Sequence, residues 1–291
     1  MRTRAVAGQH NYMNRIRRAF NECDYAVEFC ANSPEARLRS AEFEGYSLFH
    51  MDPPLHDRAL TTRLAYFYPF WRIEATEKRW EFRVAEARFS PKEIDASQAR
   101  RFSEQWRRRL FQGVQRSASK SGFIYVPLQG LLLLHRSFQT CSPIEMIEAT
   151  LANDPKRRVI ATLHPKEDYS KSERVVLDDL ISQHPRLEVL TGGMEQLLRD
   201  CDYIVTQNSS VALNGCLFQK PSVLFARIDF HHIAANVHEL GVERAFEPVR
   251  DMQPDFEKYL FWFLKRMSIN AGSQQAEDQI LSMVRAHGWD V

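Results

Sequence analysis

The sequence predicts an α/β protein built on a parallel β-sheet. Three observations favour this class. Short apolar runs alternate with helix-like segments between residues 123 and 226, and the composition is that of a globular chain, with 44% hydrophobic and 26% charged residues. The length of 291 residues suits one large domain or two smaller ones. Strand–helix alternation of this spacing places helices on both faces of the sheet.

Charge and cysteine content exclude several classes of protein. Lys and Arg number 39 against 37 Asp and Glu, a net charge of +2, which does not indicate a dedicated nucleic-acid binder. The five cysteines form no CxxC pair and are interpreted as reduced thiols of a cytoplasmic protein. No secretory leader and no apolar run of about 18 residues is found. The protein is therefore predicted to be cytoplasmic, with attachment to the inner-membrane surface as a further option.

The first part of the chain mixes helical and aromatic segments. Residues 9–32 predict a helix, with 24–30 as an alternative strand, and 45–50 predict a strand. Residues 63–89 are rich in aromatic side chains and arginine. Their aromatic stripe at 66–71 is interpreted as core or as the wall of an acceptor cleft, with a membrane-facing role as the alternative.

A basic helix is predicted over residues 95–112. Between 98 and 120, seven Lys or Arg residues face Glu104 alone, a local net charge of +6. This stretch is interpreted either as a solvated face or as a surface for anionic lipid head groups. The polar segment 116–122 is the best linker candidate.

After the predicted linker, predicted strands and helices alternate regularly. Ser142 followed by Pro143 predicts the start of a helix. The predicted strands cover residues 123–129, 158–165, 187–193, 202–210 and 221–226. The predicted helices cover residues 143–153, 170–183, 194–201, 210–219, 255–267 and 275–289.

Polar residues follow three of these strands. In an open parallel sheet, ligands bind outside the carboxyl ends of the strands. Gln129 ends the first run, and His164, followed by Lys166, ends the second. Residues 207–210 (Gln-Asn-Ser-Ser) end a third and directly precede a helix. They are interpreted as a helix cap or as a phosphate site, and His164 as structural or functional.

Other common sites are excluded by their missing motifs. The chain has no glycine-rich phosphate fingerprint, no GxSxG and no HExxH. His231, His232 and His238 have the wrong spacing for a metal site, and no carboxylate or cysteine completes the set. No metal and no cofactor is expected.

A family resemblance rests on short motifs in order. VPLQ (126–129), HRSF (135–138), LHPKE (163–167) and the run from GGMEQLL to KPSVLF (192–225) resemble the capsular-polysaccharide synthesis family. These are GT-B-type glycosyltransferases related to the bacterial β-Kdo transferases that use CMP-Kdo. The resemblance covers roughly residues 123–226.

The resemblance implies two Rossmann-like domains that face a cleft, with a short N-terminal half and C-terminal helices that pack back on it. Residues 1–118 would form the acceptor domain and 119–291 the nucleotide-sugar domain. The substrates would be a nucleotide sugar, CMP-linked or another, and a glycan or lipid-linked acceptor. The implied donor-binding residues are Gln129, His135, His164, Lys166, Gln207, Asn208, Ser209, Ser210 and Asn214.

The chain departs from the family pattern at two places. Asn214 stands where an acidic residue is usual, and Gly130 followed by four leucines replaces a polar or acidic residue. A catalytic carboxylate is not assigned by the pattern, and Asp52 and Asp57 are weak candidates. The predicted function is transfer of a sugar, of Kdo type or another, to a surface polysaccharide. The alternatives are a non-catalytic domain that binds a glycan or a partner transferase, and a sugar-nucleotide epimerase.

Overall fold

The computed structural model describes residues 1–112 and 120–291. The predicted domain boundary at 118–119 and the predicted linker up to residue 119 lie outside the described residues. Within them the chain divides into two compact units. Unit 1 consists of Met1–Arg88 and Trp262–Val291, and unit 2 of Phe89–Phe261.

Ten strands are found in the described ranges. They are β1 Ser47–His50, β2 Ala59–Leu64, β3 Phe70–Glu74, β4 Phe123–Pro127, β5 Arg158–Leu163, β6 Leu187–Thr191, β7 Tyr203–Thr206, β8 Ser222–Leu224, β9 Ala235–Asn236 and β10 Ile269–Asn270.

The α-helices of the same ranges are α1 Arg2–Val6, α2 Asn11–Asn21, α3 Pro34–Arg39, α4 Arg83–Glu86, α5 Ala96–Leu110, α6 Pro143–Asn153, α7 Lys171–Gln183, α8 Met194–Asp200, α9 Ser210–Gly215, α10 Val237–Leu240, α11 Val242–Val249, α12 Phe256–Leu260 and α13 Ala276–Ala286. Shorter 3₁₀ turns lie at Ser40–Glu42, Arg79–Glu81, Pro91–Glu93 and Cys216–Phe218, and a π-helix at Phe261–Arg266.

Unit 2 contains a parallel, Rossmann-like sheet. Its six strands are all parallel and stand in the order β6-β5-β4-β7-β8-β9. The strands predicted between residues 123 and 226 are confirmed. Strands β4 and β7 are buried throughout, and such strands appear in the sequence as continuous apolar runs. Helices α6 and α7 begin with capping boxes at Ser142 and Ser170, as the motif at Ser142 predicts.

The packing of α9 on β7 requires Gly215. A β-carbon at this position would clash with Ile204 Cδ1, inside the fully buried core. Overpacking of this kind costs about 1–3 kcal/mol. We therefore expect Gly215→Ala to lower the free energy of unfolding by about that amount, measured by urea denaturation. Ile204→Val removes the clashing methyl group, so the double variant should lose less than the sum of the two single losses. Simple additivity would contradict the contact.

Unit 1 corrects the prediction of a second Rossmann-like sheet. Its sheet has four strands in the order β1-β2-β3-β10 and is mixed. Strands β1 and β2 are parallel, but β3 runs antiparallel to both β2 and β10. The loop between β2 and β3, residues 65–69, is too short for the crossover that a parallel pair needs.

The core of unit 1 joins the two ends of the chain. Trp71 on β3 stacks on Tyr12 of α2, with ring centroids 4.2 Å apart. Arg15 on α2 donates two hydrogen bonds of 2.8 and 2.9 Å to Glu277 at the start of α13. The final helix therefore packs on the N-terminal segment, as the resemblance implies. The buried Trp71 also agrees with the core interpretation of the aromatic stripe.

One predicted helix was wrong in extent, and another contains a π-helix. The helix predicted over 9–32 ends at Asn21, where Asp24 adopts a left-handed conformation and the Tyr25 N–H donates to the Phe20 carbonyl. The alternative strand at 24–30 does not form. The helix predicted over 255–267 continues from α12 as the π-helix, closed by a bond from Met267 N to the Trp262 carbonyl.

Candidate functional site

The candidate site lies at the carboxyl edge of the unit 2 sheet. Strand β4 is the first of the six along the chain, β5 and β6 follow on one side of it, and β7 and β8 on the other. The chain therefore changes direction across the sheet between β4 and β7. Such a topological switch point opens a crevice in which α/β proteins bind ligands.

Three of the predicted residues follow the ends of neighbouring strands at this edge. Strand β4 pairs with β5 through Pro127↔Thr162, and with β7 through Tyr125↔Ile204. If these registers are continued past the strand ends, they predict a row in which Gln129 stands level with His164 and with Asn208. Neighbouring strands are about 4.8 Å apart, so one ligand can span the row.

Side-chain amides at the switch point carry unpaired oxygens. Gln207 is 2% exposed, and its Nε2 donates to the Cys141 carbonyl at 2.8 Å. Its Oε1 is buried and has no hydrogen-bond partner among residues 1–112 and 120–291, and the same holds for Gln129 Oε1 and Asn208 Oδ1. A buried, unpaired acceptor costs about 1–3 kcal/mol. If the Gln207 amide were flipped, its oxygen would face the Cys141 carbonyl oxygen, so the orientation with Nε2 as the donor is favoured.

The loop at 128–142 covers the strand ends and is held at both ends. The Leu128 N–H donates to the Thr162 carbonyl, and the Thr140 N–H to the Phe225 carbonyl. In the middle, the Leu132 N–H donates to Glu173 Oε1 at 2.6 Å. Of the four leucines at 131–134, Leu132 is buried and the other three are exposed. His135, a predicted donor-binding residue, is exposed as well.

His164 lies in an exposed turn with a defined tautomer. The Lys166 N–H donates to His164 Nδ1 at 3.3 Å, and the His164 N–H donates to the Tyr169 hydroxyl at 2.8 Å. A ring nitrogen that accepts a hydrogen bond carries no proton, so the proton of this imidazole is on Nε2. Nε2 has no partner in the described part of the chain. The ring can therefore donate a hydrogen bond to an anionic ligand, beside the exposed Lys166 ammonium.

The Ser209–Ser210 turn shows the capping that the sequence left open. Ser209 Oγ accepts a hydrogen bond from the Val211 N–H at 3.3 Å at the start of α9. Ser210 is exposed and its hydroxyl makes no hydrogen bond with a described residue. One turn later, Asn214 Nδ2 lies 4.0 Å from Met194 Sδ of α8. Phosphate binding at this turn remains a prediction.

The two carboxylate candidates lie in unit 1. Asp52 pairs with Arg37 and accepts a hydrogen bond from Asn32. Arg37 and Asn32 line a cavity of about 460 Å³ in this unit. Asp57 is exposed. Any catalytic role of either carboxylate remains a prediction.

Histidines and acids do not gather into a metal site in the part of the chain that the structure describes. His231 and His232 stack with ring centroids 4.3 Å apart, and their Nδ1 atoms face the Ile228 carbonyl and the Tyr259 hydroxyl. These contacts occupy one nitrogen of each ring. Across residues 1–112 and 120–291 no helix is long and apolar enough to cross a membrane.

The sequence pattern gives no sign that Glu167, in the turn after β5, lies close to Gly130. A β-carbon at Gly130 would lie 2.6 Å from Glu167 Oε2.

Comparison with solved structures identifies the fold. The β-Kdo 2,7 transferase KpsC of Thermosulfurimonas dismutans aligns with 94% of this chain and 96% of its own, with a TM-score of 0.57 and 13% identity. The chain has a KpsC-like, GT-B-type fold. The β-Kdo 2,4 transferase of the same organism's KpsC covers 69% of this chain and 70% of its own, with 14% identity and a TM-score of 0.40.

A more distant likeness is to S. aureus MnaA, solved with UDP. It covers 58% of this chain and 46% of its own at 14% identity, with a TM-score of 0.34. Likeness at this TM-score, as at 0.40, is too low to support a conclusion about this chain. No protein-family model matches the chain, and no curated protein matches its sequence.

Proposed function

We propose that this protein is a glycosyltransferase that uses a nucleotide sugar, CMP-linked or another, as donor. The observation that carries the proposal is the row of His164, Gln129 and Asn208 at the switch point of the unit 2 sheet. The KpsC-like fold of nearly the whole chain supports it. The acceptor would be a glycan or a lipid-linked glycan of the bacterial cell surface.

The row supplies donors and acceptors for different parts of a nucleotide sugar. His164 Nε2–H, the Lys166 ammonium and the Ser210 hydroxyl can donate to the phosphate. The amide oxygens of Gln129, Gln207 and Asn208 can accept from hydroxyl or amino groups of the base or the sugars. Donors held at the phosphate stabilise the negative charge that develops as the nucleotide leaves, which is the usual source of a large rate gain.

In the reaction, an acceptor hydroxyl oxygen forms a bond to the anomeric carbon while the bond from that carbon to the phosphate oxygen breaks. The nucleotide leaves with the electron pair, and the acceptor's proton passes to a base. Residues 1–118 would be the acceptor domain. Asp52 and Asp57 are the candidates for the base.

Transfer with His164→Ala tests the proposal. Wild-type protein is incubated with CMP-Kdo and a capsular oligosaccharide, and elongated product is measured by mass spectrometry. We expect wild type to elongate the acceptor, and the variant to lose 100-fold or more of the rate, as on removal of one transition-state donor. His184→Ala, at the C-terminal end of α7, is the matched control and should keep the wild-type rate.

The alternatives give different results in the same assay. Ligand binding without turnover of any donor would indicate the non-catalytic domain that Asn214 favours. A converted sugar nucleotide in the absence of acceptor would indicate an epimerase. Unchanged transfer by His164→Ala would contradict the site.

The membrane-surface role rests on α5. Arg100, Arg101, Arg108 and Arg109 are exposed on it, and residues 113–119 of the basic stretch lie outside the described part. We expect sedimentation with phosphatidylglycerol vesicles that weakens as salt rises from 50 to 500 mM, and that falls when these four arginines are changed to glutamine. Equal binding to phosphatidylcholine vesicles would contradict the role.

A further inference from the structure

Three leucines of the loop at 128–142 are exposed at the carboxyl edge of the unit 2 sheet. Leu131, Leu133 and Leu134 are 47%, 39% and 63% exposed. A single exposed leucine is ordinary on a protein surface, but several large apolar side chains side by side mark a contact surface. The leucine run, residues 131–134, is therefore a candidate for binding a partner.

The fold holds these leucines in solvent. The fourth leucine of the run, Leu132, is buried, and its backbone donates to Glu173 Oε1 at 2.6 Å and accepts from the Ile144 N–H at 3.1 Å. Leu131 has a left-handed backbone with a φ of 64°, which is unfavourable for a residue with a β-carbon. The Leu134 N–H donates to the Leu131 carbonyl at 3.2 Å and closes this turn. Strained residues of this kind cluster at functional sites.

The charge of the loop indicates the kind of partner. His135 and Arg136 directly follow the leucine run, and both are exposed. No Asp or Glu occurs between residues 123 and 144. An apolar tip followed by a cation is typical of a segment that lies in the interface of a bilayer with anionic lipids.

The nearest acids outside the loop do not cancel this charge at the tip. Glu145 accepts a hydrogen bond from the Ser142 N–H at 2.7 Å, and Glu173 holds the backbone of the leucine run, so both carboxylates are turned toward the protein. Glu167 is exposed, and its neighbour along the chain is the exposed Lys166. Arg136 therefore remains the charge closest along the chain to the exposed leucines.

We propose that the leucine run inserts into the interface of a membrane that contains anionic lipids, with Arg136 among the head groups. Apolar side chains gain free energy when they leave water, and the anionic surface attracts the adjacent cation. This docking does not depend on the proposed function. It would bring the carboxyl edge of the sheet to the bilayer, and it would then favour a lipid-linked acceptor, a consequence that does rest on the proposed function.

Vesicle sedimentation in 500 mM salt tests this docking separately from the α5 surface. Salt at this concentration screens charges beyond about 4 Å but leaves apolar insertion in place. Wild type and Leu133→Ser/Leu134→Ser are sedimented with vesicles of equal parts phosphatidylglycerol and phosphatidylcholine. Leu38→Ser/Leu55→Ser is the matched control, because these two leucines of unit 1 are similarly exposed, at 65% and 44%. Thermal unfolding verifies that each variant is folded.

We expect the Leu133→Ser/Leu134→Ser variant to bind these vesicles at least tenfold more weakly than wild type, with the control unchanged. Removal of a leucine side chain from water is worth about that factor or more. Arg136→Gln should weaken binding at 50 mM salt and have little effect at 500 mM salt, since its contribution is electrostatic.

Four results would overturn the proposal. They are wild-type binding by the Leu133→Ser/Leu134→Ser variant, an equal loss in the control, no binding of wild type in 500 mM salt, and self-association that only the serine changes at 133 and 134 abolish. The last, measured by analytical ultracentrifugation, would show that a second copy of the chain covers the leucines. None of the four contradicts the proposed function, which sugar transfer tests separately.

Discussion

Asp154→Ala should lower the free energy of unfolding of unit 2 by about 3–5 kcal/mol, the usual effect of breaking a buried charge pair. Asp154 is 1% exposed and lies before β5. Its Oδ2 accepts from the Tyr203 hydroxyl at 2.9 Å and from Arg157 Nη1 at 2.8 Å. Arg157 also donates to Asp202 at 2.6 Å. Loss of Asp154 leaves the Tyr203 hydroxyl without this partner and Arg157 with only one of its two carboxylates.

The stabilisation that Asp154 provides should decrease at acid pH. Burial disfavours the Asp154 carboxylate, but the hydrogen bonds from Tyr203 and Arg157 outweigh burial, so its pKa lies below the ordinary value of 3.8. A lowered pKa in the folded state stabilises the protein above the unfolded-state pKa. The stabilisation is lost as the pH falls through the lowered pKa. The difference between wild type and variant should therefore be full at pH 7 and shrink below about pH 4.

Urea denaturation at pH 7 and at acid pH measures both effects. Glu148→Ala removes an exposed acid from α6 and is the control, with an expected change within about 0.5 kcal/mol. A loss in Asp154→Ala no larger than that of the control would show that the network contributes little to unit 2.

Gln207→Met should lower nucleotide affinity with little change in the free energy of unfolding. The change removes the buried, unpaired Oε1 and the hydrogen bond from Nε2 to the Cys141 carbonyl, two effects of opposite sign. We therefore expect the free energy of unfolding to change by less than about 1 kcal/mol, and nucleotide affinity to fall about 10- to 100-fold. Gln183→Met, at the other end of α7 from the carboxyl edge, should leave both unchanged.

Denaturation and calorimetry on the same preparations check this prediction. Unchanged nucleotide affinity in Gln207→Met would show that its fixed oxygen does not contact the ligand. A large stability loss with a proportional affinity loss would show that the residue only supports the loop at 128–142.

The parallel sheet was predictable because its central strands β4 and β7 are buried on both faces. FIYVP and YIVT appear as unbroken apolar runs, and Ser142-Pro143 marks a helix start without tertiary information. The mixed sheet of unit 1 was not predictable from the sequence. Strand β2 contains Thr61, Thr62 and Arg63, and Thr62 is stabilised by the Tyr12 hydroxyl at 2.7 Å. Strand β3 pairs with β10, which lies near the end of the chain, so no local sequence pattern indicates this pairing.

The grouping of the candidate residues could be predicted from the sequence, and their role in binding stays a prediction. Parallel strands bring their carboxyl ends to one edge, which is why Gln129, His164 and residues 207–210 could be assigned to one edge from the sequence. The fixed orientation of Gln207 depends on the Cys141 carbonyl, a side-chain contact across 66 positions. The space for Glu167 depends on the approach of two loops. Neither contact follows from a regular residue spacing, so a sequence pattern cannot predict it.

The central claim is that unit 2 binds a nucleotide through the row at its carboxyl edge. The most direct test is a thermal-shift panel with CMP, UMP, UDP, GDP and ADP on wild type and on His164→Ala. A nucleotide at 100 times its dissociation constant stabilises the native state by about 2.7 kcal/mol, a shift on the order of 5–10 °C. We predict such a shift with one class of nucleotide, reduced in His164→Ala. No shift with any of the five would contradict the account.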